Sequence, residues 1–128
     1  MTRFYLDTSA AAKLLVEEPE SAAFVKWADG DSVELVATLL LETELRRLAT
    51  RYALPQLQVT HILAAVSLYD LPLSLYREAG LLPGVALRSL DALHLIGALR
   101  LGVDAIATYD ERLARAAREV GVAVIAPS

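Results

Sequence analysis

At 128 residues the chain is long enough for one domain, taken as residues 1–128, that buries roughly two-thirds of its unfolded surface without covalent staples. It contains no cysteine, which excludes thiolate metal sites and a cysteine nucleophile and fits a reducing cytoplasm, and its formal charge of −4 speaks against a general basic nucleic-acid binder. Hydrophobic residues reach 55 %, yet charge or proline cuts every apolar run before the ~18 residues that a membrane span needs, and no long apolar stretch follows Arg3 to form a signal peptide.

The first strand ends at Phe4, Tyr5 and Leu6. Asp7, Thr8 and Ser9 follow, and the strong helix formers Ala10 to Leu15 then predict a helix running to about Glu18. Pro19 opens a second helix through Ser21, Phe24, Val25 and Trp27, which Asp29, Gly30 and Asp31 break. Val33 to Ala37 reads as a strand. Thr38 reads as the cap of a helix carrying Leu41, Leu45, Leu48 and Tyr52 at helical spacing and stopping before Pro55. Gln56 to Leu68 reads as the next helix, and Tyr69 to Leu73 as an edge-like strand.

A short helix and loop are expected over residues 74–84, punctuated by Gly80, Pro83 and Gly84. Ser89 is the expected cap of a helix through Leu90, Leu93, Ile96, Gly97 and Leu99 that Gly102 closes. Ala105 to Ala107 is a strand, Thr108, Tyr109 and Asp110 are its exit, a helix runs through Leu113 and Ala117 to Gly121, and Val122 to Ala126 is the last strand. Short strands alternating with helices predict right-handed crossovers: an α/β fold of three layers, α/β/α, around a mainly parallel sheet of about five short strands.

In such a sheet ligands gather beyond the carboxyl ends of the strands. Asp7 and Asp110 follow strands directly, so both belong at that edge. Asp91 lies in the first turn of a helix that must carry the chain to the opposite edge, which brings Asp91 there as well. Glu44 lies among Leu41, Leu45 and Leu48, on or beside a stripe that should be buried, where an unpaired charge is costly. Each acid also has a plainer explanation: capping or dipole stabilisation for Asp7, Asp91 and Asp110, an ion pair with Arg47 or Arg51 for Glu44. Four acids converging without an obvious basic partner are better explained by a divalent cation, and oxygen-only donors favour Mg²⁺ or Mn²⁺. Thr8, Ser9 and Thr108 place hydroxyls beside these acids, as ligand-orienting groups or as turn and cap hydrogen bonds. His94, one turn after Asp91 and between Leu93 and Leu95, reads as a packed, hydrogen-bonded histidine, with a role in catalysis or in supporting a ligand as the lesser reading, and Arg112, Arg115 and Arg118 as a solvated helix face, with phosphate binding as theirs.

Taken in order, four motifs resemble those of PIN domains, in particular the single-domain VapC toxins of bacterial VapBC toxin–antitoxin pairs. They are Tyr5-Leu6-Asp7-Thr8-Ser9-Ala10, Thr38 with Glu44 and Arg47, Leu90-Asp91-Ala92-Leu93-His94, and Thr108-Tyr109-Asp110-Glu111-Arg112-Leu113. The resemblance spans the whole chain, with Thr38 where many relatives have serine. It implies a cytoplasmic, homodimeric, Mg²⁺-dependent endoribonuclease restrained by a cognate VapB antitoxin. Asp7, Glu44, Asp91 and Asp110 would form its catalytic, metal-holding pocket, with Asp7 and Asp91 as direct ligands and Thr8 or Ser9 in the hydroxyl role. Glu42 competes with Glu44 for the second acid; the offset from Thr38 and the following Arg47 favour Glu44. Arg46, Arg47, Arg51 and Arg88 are the expected contacts to RNA or to a basic antitoxin tail.

Two other classes stand beside this reading. A catalytically silent PIN scaffold that dimerises and binds antitoxin suits the Leu-rich helices, although the intact acid quartet disfavours it. An aspartate-based phosphotransferase is weaker still, because Ser9 stands where a second acid belongs and no lysine follows Lys26.

Overall fold

The computed structural model describes residues 1–128. Its elements are β1 (Thr2–Leu6), α1 (Thr8–Leu15), α2 (Ser21–Ala28), β2 (Val33–Thr38), α3 (Leu40–Arg51), α4 (Gln56–Ala64), β3 (Ser67–Tyr69), α5 (Leu73–Gly80), α6 (Ser89–Leu101), β4 (Ala105–Ala107), α7 (Glu111–Glu119) and β5 (Ala123–Ile125). The five strands form one sheet in the order β3-β2-β1-β4-β5, and every neighbouring pair is parallel. Helices α1 to α4 pack among themselves, while α6 packs against α5 and α7, which accounts for the two outer layers.

The strand order reverses at β1. The chain steps outward from β1 to β2 and β3, then returns to place β4 on the other side of β1. Parallel strands diverging from such a point leave a crevice beyond their carboxyl ends. Asp7 follows β1 and Thr108 follows β4 at this crevice, and the register Leu6 to Ala107 sets them side by side. The carboxyl-terminal halves of the central strands are buried: Tyr5, Leu6, Val36, Ala37, Ile106 and Ala107 are all 0 % exposed, as befits a sheet covered on both faces.

Four local readings are corrected. The first helix ends at Leu15, because Val16 is extended at φ −115° and donates its N–H back to Ala12. Thr38 ends β2 instead of capping a helix; its hydroxyl is turned inward to the Tyr5 phenol at 3.2 Å. Ser89 is the first residue of α6, and Arg88, in extended conformation, precedes it without a side-chain cap. The third strand is Ser67–Tyr69, and the Leu71 region leads into α5.

Gly97 explains the close approach of α6 to the sheet. An added Cβ would stand 2.8 Å from Thr38 Cγ2 and 3.3 Å from the Tyr5 ring. Thr38 is 2 % exposed and Tyr5 fully buried, so neither has room to yield. Overpacking of about 1–3 kcal/mol should therefore outweigh the helix-propensity gain of about 1 kcal/mol from alanine. Gly97→Ala is expected to lower the urea midpoint at constant slope; a raised midpoint would show that α6 can retreat.

Candidate active site

The residues at the carboxyl edge form two connected groups. In the lower one, Asp7 is 2 % exposed and caps α1 by accepting from the Ala10 N–H at 2.9 Å. Ser9 Oγ donates to both its oxygens at 2.9 and 3.0 Å, and Thr108 Oγ1 donates to Oδ2 at 2.6 Å. The two hydroxyls are themselves pinned, Ser9 by the Tyr109 N–H and Thr108 by the Asp110 N–H. Burial pushes the Asp7 pKa up, against the pull of the Thr108, Ala10 and Ser9 hydrogen bonds and the charge of His94.

In the upper group, Glu44, Asp91 and Asp110 line one cavity of about 350 Å³ together with Arg88, Ser89 and Arg112. Asp110 caps α7, with Oδ1 accepting from the N–H groups of Arg112 and Leu113 at 2.8 and 3.1 Å. The cap uses Oδ1 alone, so Oδ2 remains available to the cavity. The Asp91 pKa is raised, first by burial and then by repulsion from Asp110 and Glu44, with Arg88 and His94 opposing. Glu44 behaves oppositely. Burial pushes its pKa up, but the hydrogen bond and charge of His94 and the Thr8 hydroxyl more than offset this and leave it lowered.

Glu44 is reached by Thr8 Oγ1 at 2.6 Å and His94 Nε2 at 2.5 Å, and both meet Oε1. Glu42, by contrast, pairs with Arg46 at 2.9 Å on the outer face of α3. Arg46 also donates to Gln56 and Thr60 of α4, so it braces two helices and lies off the cavities. Arg47 and Arg51 line an adjoining cavity with Thr8 and Glu44, while Arg88 enters the carboxylate cavity. Arg112, exposed on α7 as the sequence reading has it, also borders this cavity. Arg115 and Arg118 line a larger cavity of about 760 Å³ on the Tyr109 side of Asp110.

The acids are thus gathered at one edge but are not drawn into a ready-made ligand cage: no three His, Asp or Glu side chains are grouped to hold an ion outright. Mg²⁺ does not require such a cage, since it commonly binds one or two carboxylates and keeps waters or phosphate oxygens as its other ligands. Repulsion of Asp91 by Asp110 and Glu44, which His94 and Arg88 offset only in part, with carboxylate oxygens as the donors, fits a hard divalent cation. Sequence reading missed the support beneath Glu44, which is the buried hydroxyls of Tyr5 and Thr38 behind His94. A tyrosine inside an otherwise apolar strand was the available signal, because a buried phenol needs a partner.

A sequence model of the PIN domain matches residues 4–119. The chain is 41 % identical to ribonuclease VapC46 of Mycobacterium tuberculosis, with all of both chains covered. It belongs to the PIN domain family, among the VapC proteins. Ribonuclease VapC35 of the same species is 40 % identical to this PIN domain over 96 % of each chain. Two solved structures share the fold at low identity. M. tuberculosis VapC20, described as a sarcin-ricin loop cleaving toxin, has a TM-score of 0.76 at 16 % identity, covering 97 % of the PIN domain and 99 % of its own chain. VapBC2 from Rickettsia felis, solved with a promoter DNA fragment, has a TM-score of 0.73 at 13 % identity, covering 99 % and 100 %.

Proposed function

We propose that this PIN domain is the ribonuclease toxin of a type II toxin–antitoxin pair, and specifically a Mg²⁺-dependent endoribonuclease. The observation that carries the reading is the cavity shared by Glu44, Asp91 and Asp110, which two arginines also line and in which burial, and then the neighbouring carboxylates, raise the Asp91 pKa. The relatives named as VapC ribonucleases support it.

Asp7, Glu44, Asp91 and Asp110 would hold the ion. Once bound, a divalent cation supplies an activated water and positive charge against the leaving oxygen. The chain's own groups do the rest. Arg88 and Arg112, which line the same cavity, offer forked donors to the phosphates flanking the cleaved bond. Asp7 accepts from Ser9, Thr108 and the Ala10 N–H, so it can turn an oxygen to an ion only by releasing a hydroxyl. Ser9 is the one to release, since it divides a single proton between the two oxygens.

The same acids account for restraint by a VapB-type antitoxin, whose basic tail would lay an arginine among them and exclude RNA. An antitoxin without that tail that still inhibited fully would count against this step. Homodimerisation and a cytoplasmic location belong to the same proposal; no helix is long and apolar enough to cross a membrane.

The deciding experiment is cleavage of a mixed RNA pool with Mg²⁺, with Mn²⁺ and with chelator. Activity should vanish with chelator and return with either metal. Attack by water leaves 5′-phosphate and 3′-hydroxyl ends, whereas attack by the neighbouring 2′-hydroxyl leaves a 2′,3′-cyclic phosphate. Metal-independent cleavage, or cyclic ends, would overturn the mechanism.

A further inference from the structure

We propose that His94 is a positioning residue that fixes which oxygen of Glu44 enters the carboxylate cavity. The inference rests on the metal-dependent reading above. His94 is 2 % exposed and is hydrogen-bonded at both ring nitrogens. Nδ1 meets the Tyr5 hydroxyl at 2.7 Å and Nε2 meets Glu44 Oε1 at 2.5 Å. Behind Tyr5 stands Thr38, whose hydroxyl is 3.2 Å from the phenol oxygen. A carboxylate only accepts, so Nε2 donates to Glu44.

This arrangement joins β1, β2, α3 and α6 through four side chains, with no buried side-chain polar atom left unpartnered. The Tyr5 ring also meets the imidazole edge-on at a centroid distance of 5.6 Å, so the ring plane as well as its ends is held. Thr8 Oγ1 donates to the same Glu44 oxygen. Oε1 therefore carries two donors, while Oε2 accepts none from the protein and is left for the cavity that Glu44 shares with Asp91 and Asp110.

The alternative resting place for Glu44 is next door. Its side chain also lines the cavity occupied by Arg47 and Arg51, either of which offers an ion pair. Thr8 alone is a single neutral donor against that attraction. His94 adds a second donor on a fixed ring and keeps the carboxylate on the Asp91 side, so removing it should weaken the site without touching a metal-facing group. Partners that orient a ligand in this way are commonly worth about 10–100-fold in metal affinity.

The test uses two substitutions that divide the imidazole. A glutamine at this position returns an N–H near Nε2, and an asparagine returns a polar atom near Nδ1. Free Mn²⁺ is followed by electron paramagnetic resonance during titration of the purified full chain, with thermal unfolding alongside. His94→Gln should bind Mn²⁺ within about threefold of wild type, whereas His94→Asn should bind about tenfold more weakly. Ribonuclease kcat/KM should fall in the same order. A folded His94→Asn that binds Mn²⁺ like wild type overturns the proposal, and so does His94→Gln binding as weakly as His94→Asn. Should His94→Asn fail to fold, Tyr5→Phe carries the test, since it removes only the hydroxyl behind Nδ1. Weaker Mn²⁺ binding supports the relay and unchanged binding overturns it. Wild type that takes up no Mn²⁺ overturns the metal reading itself, which separates the two failures.

Discussion

Replacing Asp7 by asparagine is expected to lower RNA cleavage by roughly 100-fold or more, while the metal-free protein keeps or gains stability. The two effects share one cause. Asp7 is buried with its charge opposed only by hydroxyls, one N–H and the field of His94, and its pKa is raised above the ordinary 3.8. A carboxyl with a raised folded-state pKa adds stability below the unfolded value and forfeits it as pH rises through the folded value. Metal-free wild type should therefore lose stability relative to Asp7→Asn as pH climbs from about 4 toward neutrality. The asparagine keeps the α1 cap through its carbonyl oxygen, and the Ser9 and Thr108 hydroxyls can rotate to accept from its amide. Thermal unfolding across that range in chelator, beside a cleavage assay at saturating Mg²⁺, checks both halves. A variant that is both inactive and markedly less stable would assign Asp7 a structural role.

The largest loss of stability is expected at Phe24→Ala, about 3–5 kcal/mol and roughly 10 °C or more in Tm. Phe24 is 0 % exposed and forms the hinge of an aromatic cluster, 5.3 Å from the Trp27 ring and 6.0 Å from that of Tyr109. The cavity left behind would lie beneath Tyr109, whose hydroxyl donates to Pro127 O at 2.6 Å and whose N–H pins Ser9. Cleavage should thus fall even at temperatures where the variant stays folded, because Tyr109 sits between Thr108 and Asp110. Val25→Ala on the same helix, 41 % exposed, is the control and should stay within about 0.5 kcal/mol of wild type. Equal losses at the two positions would mean that α2 merely unravels.

Much of this was legible in the chain itself because strong local signals agreed with the topology. Leu6-Asp7-Thr8 changes from strand to helix within three residues, and Ala107 to Glu111 does so within five, so two acids could be assigned to the crevice from the chain alone. Asp91 followed from helix direction alone. The errors fell where one residue type serves two ends. Thr38 carries a hydroxyl that suits a helix cap, yet its β-branched side chain also suits a strand end, and the buried Tyr5 phenol decided between them. The third strand was misplaced because Ser67–Tyr69 is a three-residue edge with little burial, which leaves no alternation to read. Glu44 was legible as an acid out of place but not as one held by His94, because the contact joins residues 50 positions apart on different helices. Arg46, expected at the crevice, braces α3 to α4 for a similar reason. Sequence shows that an arginine lies on a helix, while the neighbouring helix decides whether it braces or faces the crevice.

The central position of β1 also governs when the crevice comes into being. The strand made first waits for β4, which is among the last elements to leave the ribosome, before its second flank is filled. Until then Asp7 lacks Thr108, and Asp110 has no place beside Asp91. A nascent chain accordingly carries Asp7 and Glu44 for most of its synthesis before the carboxylate crevice can be assembled.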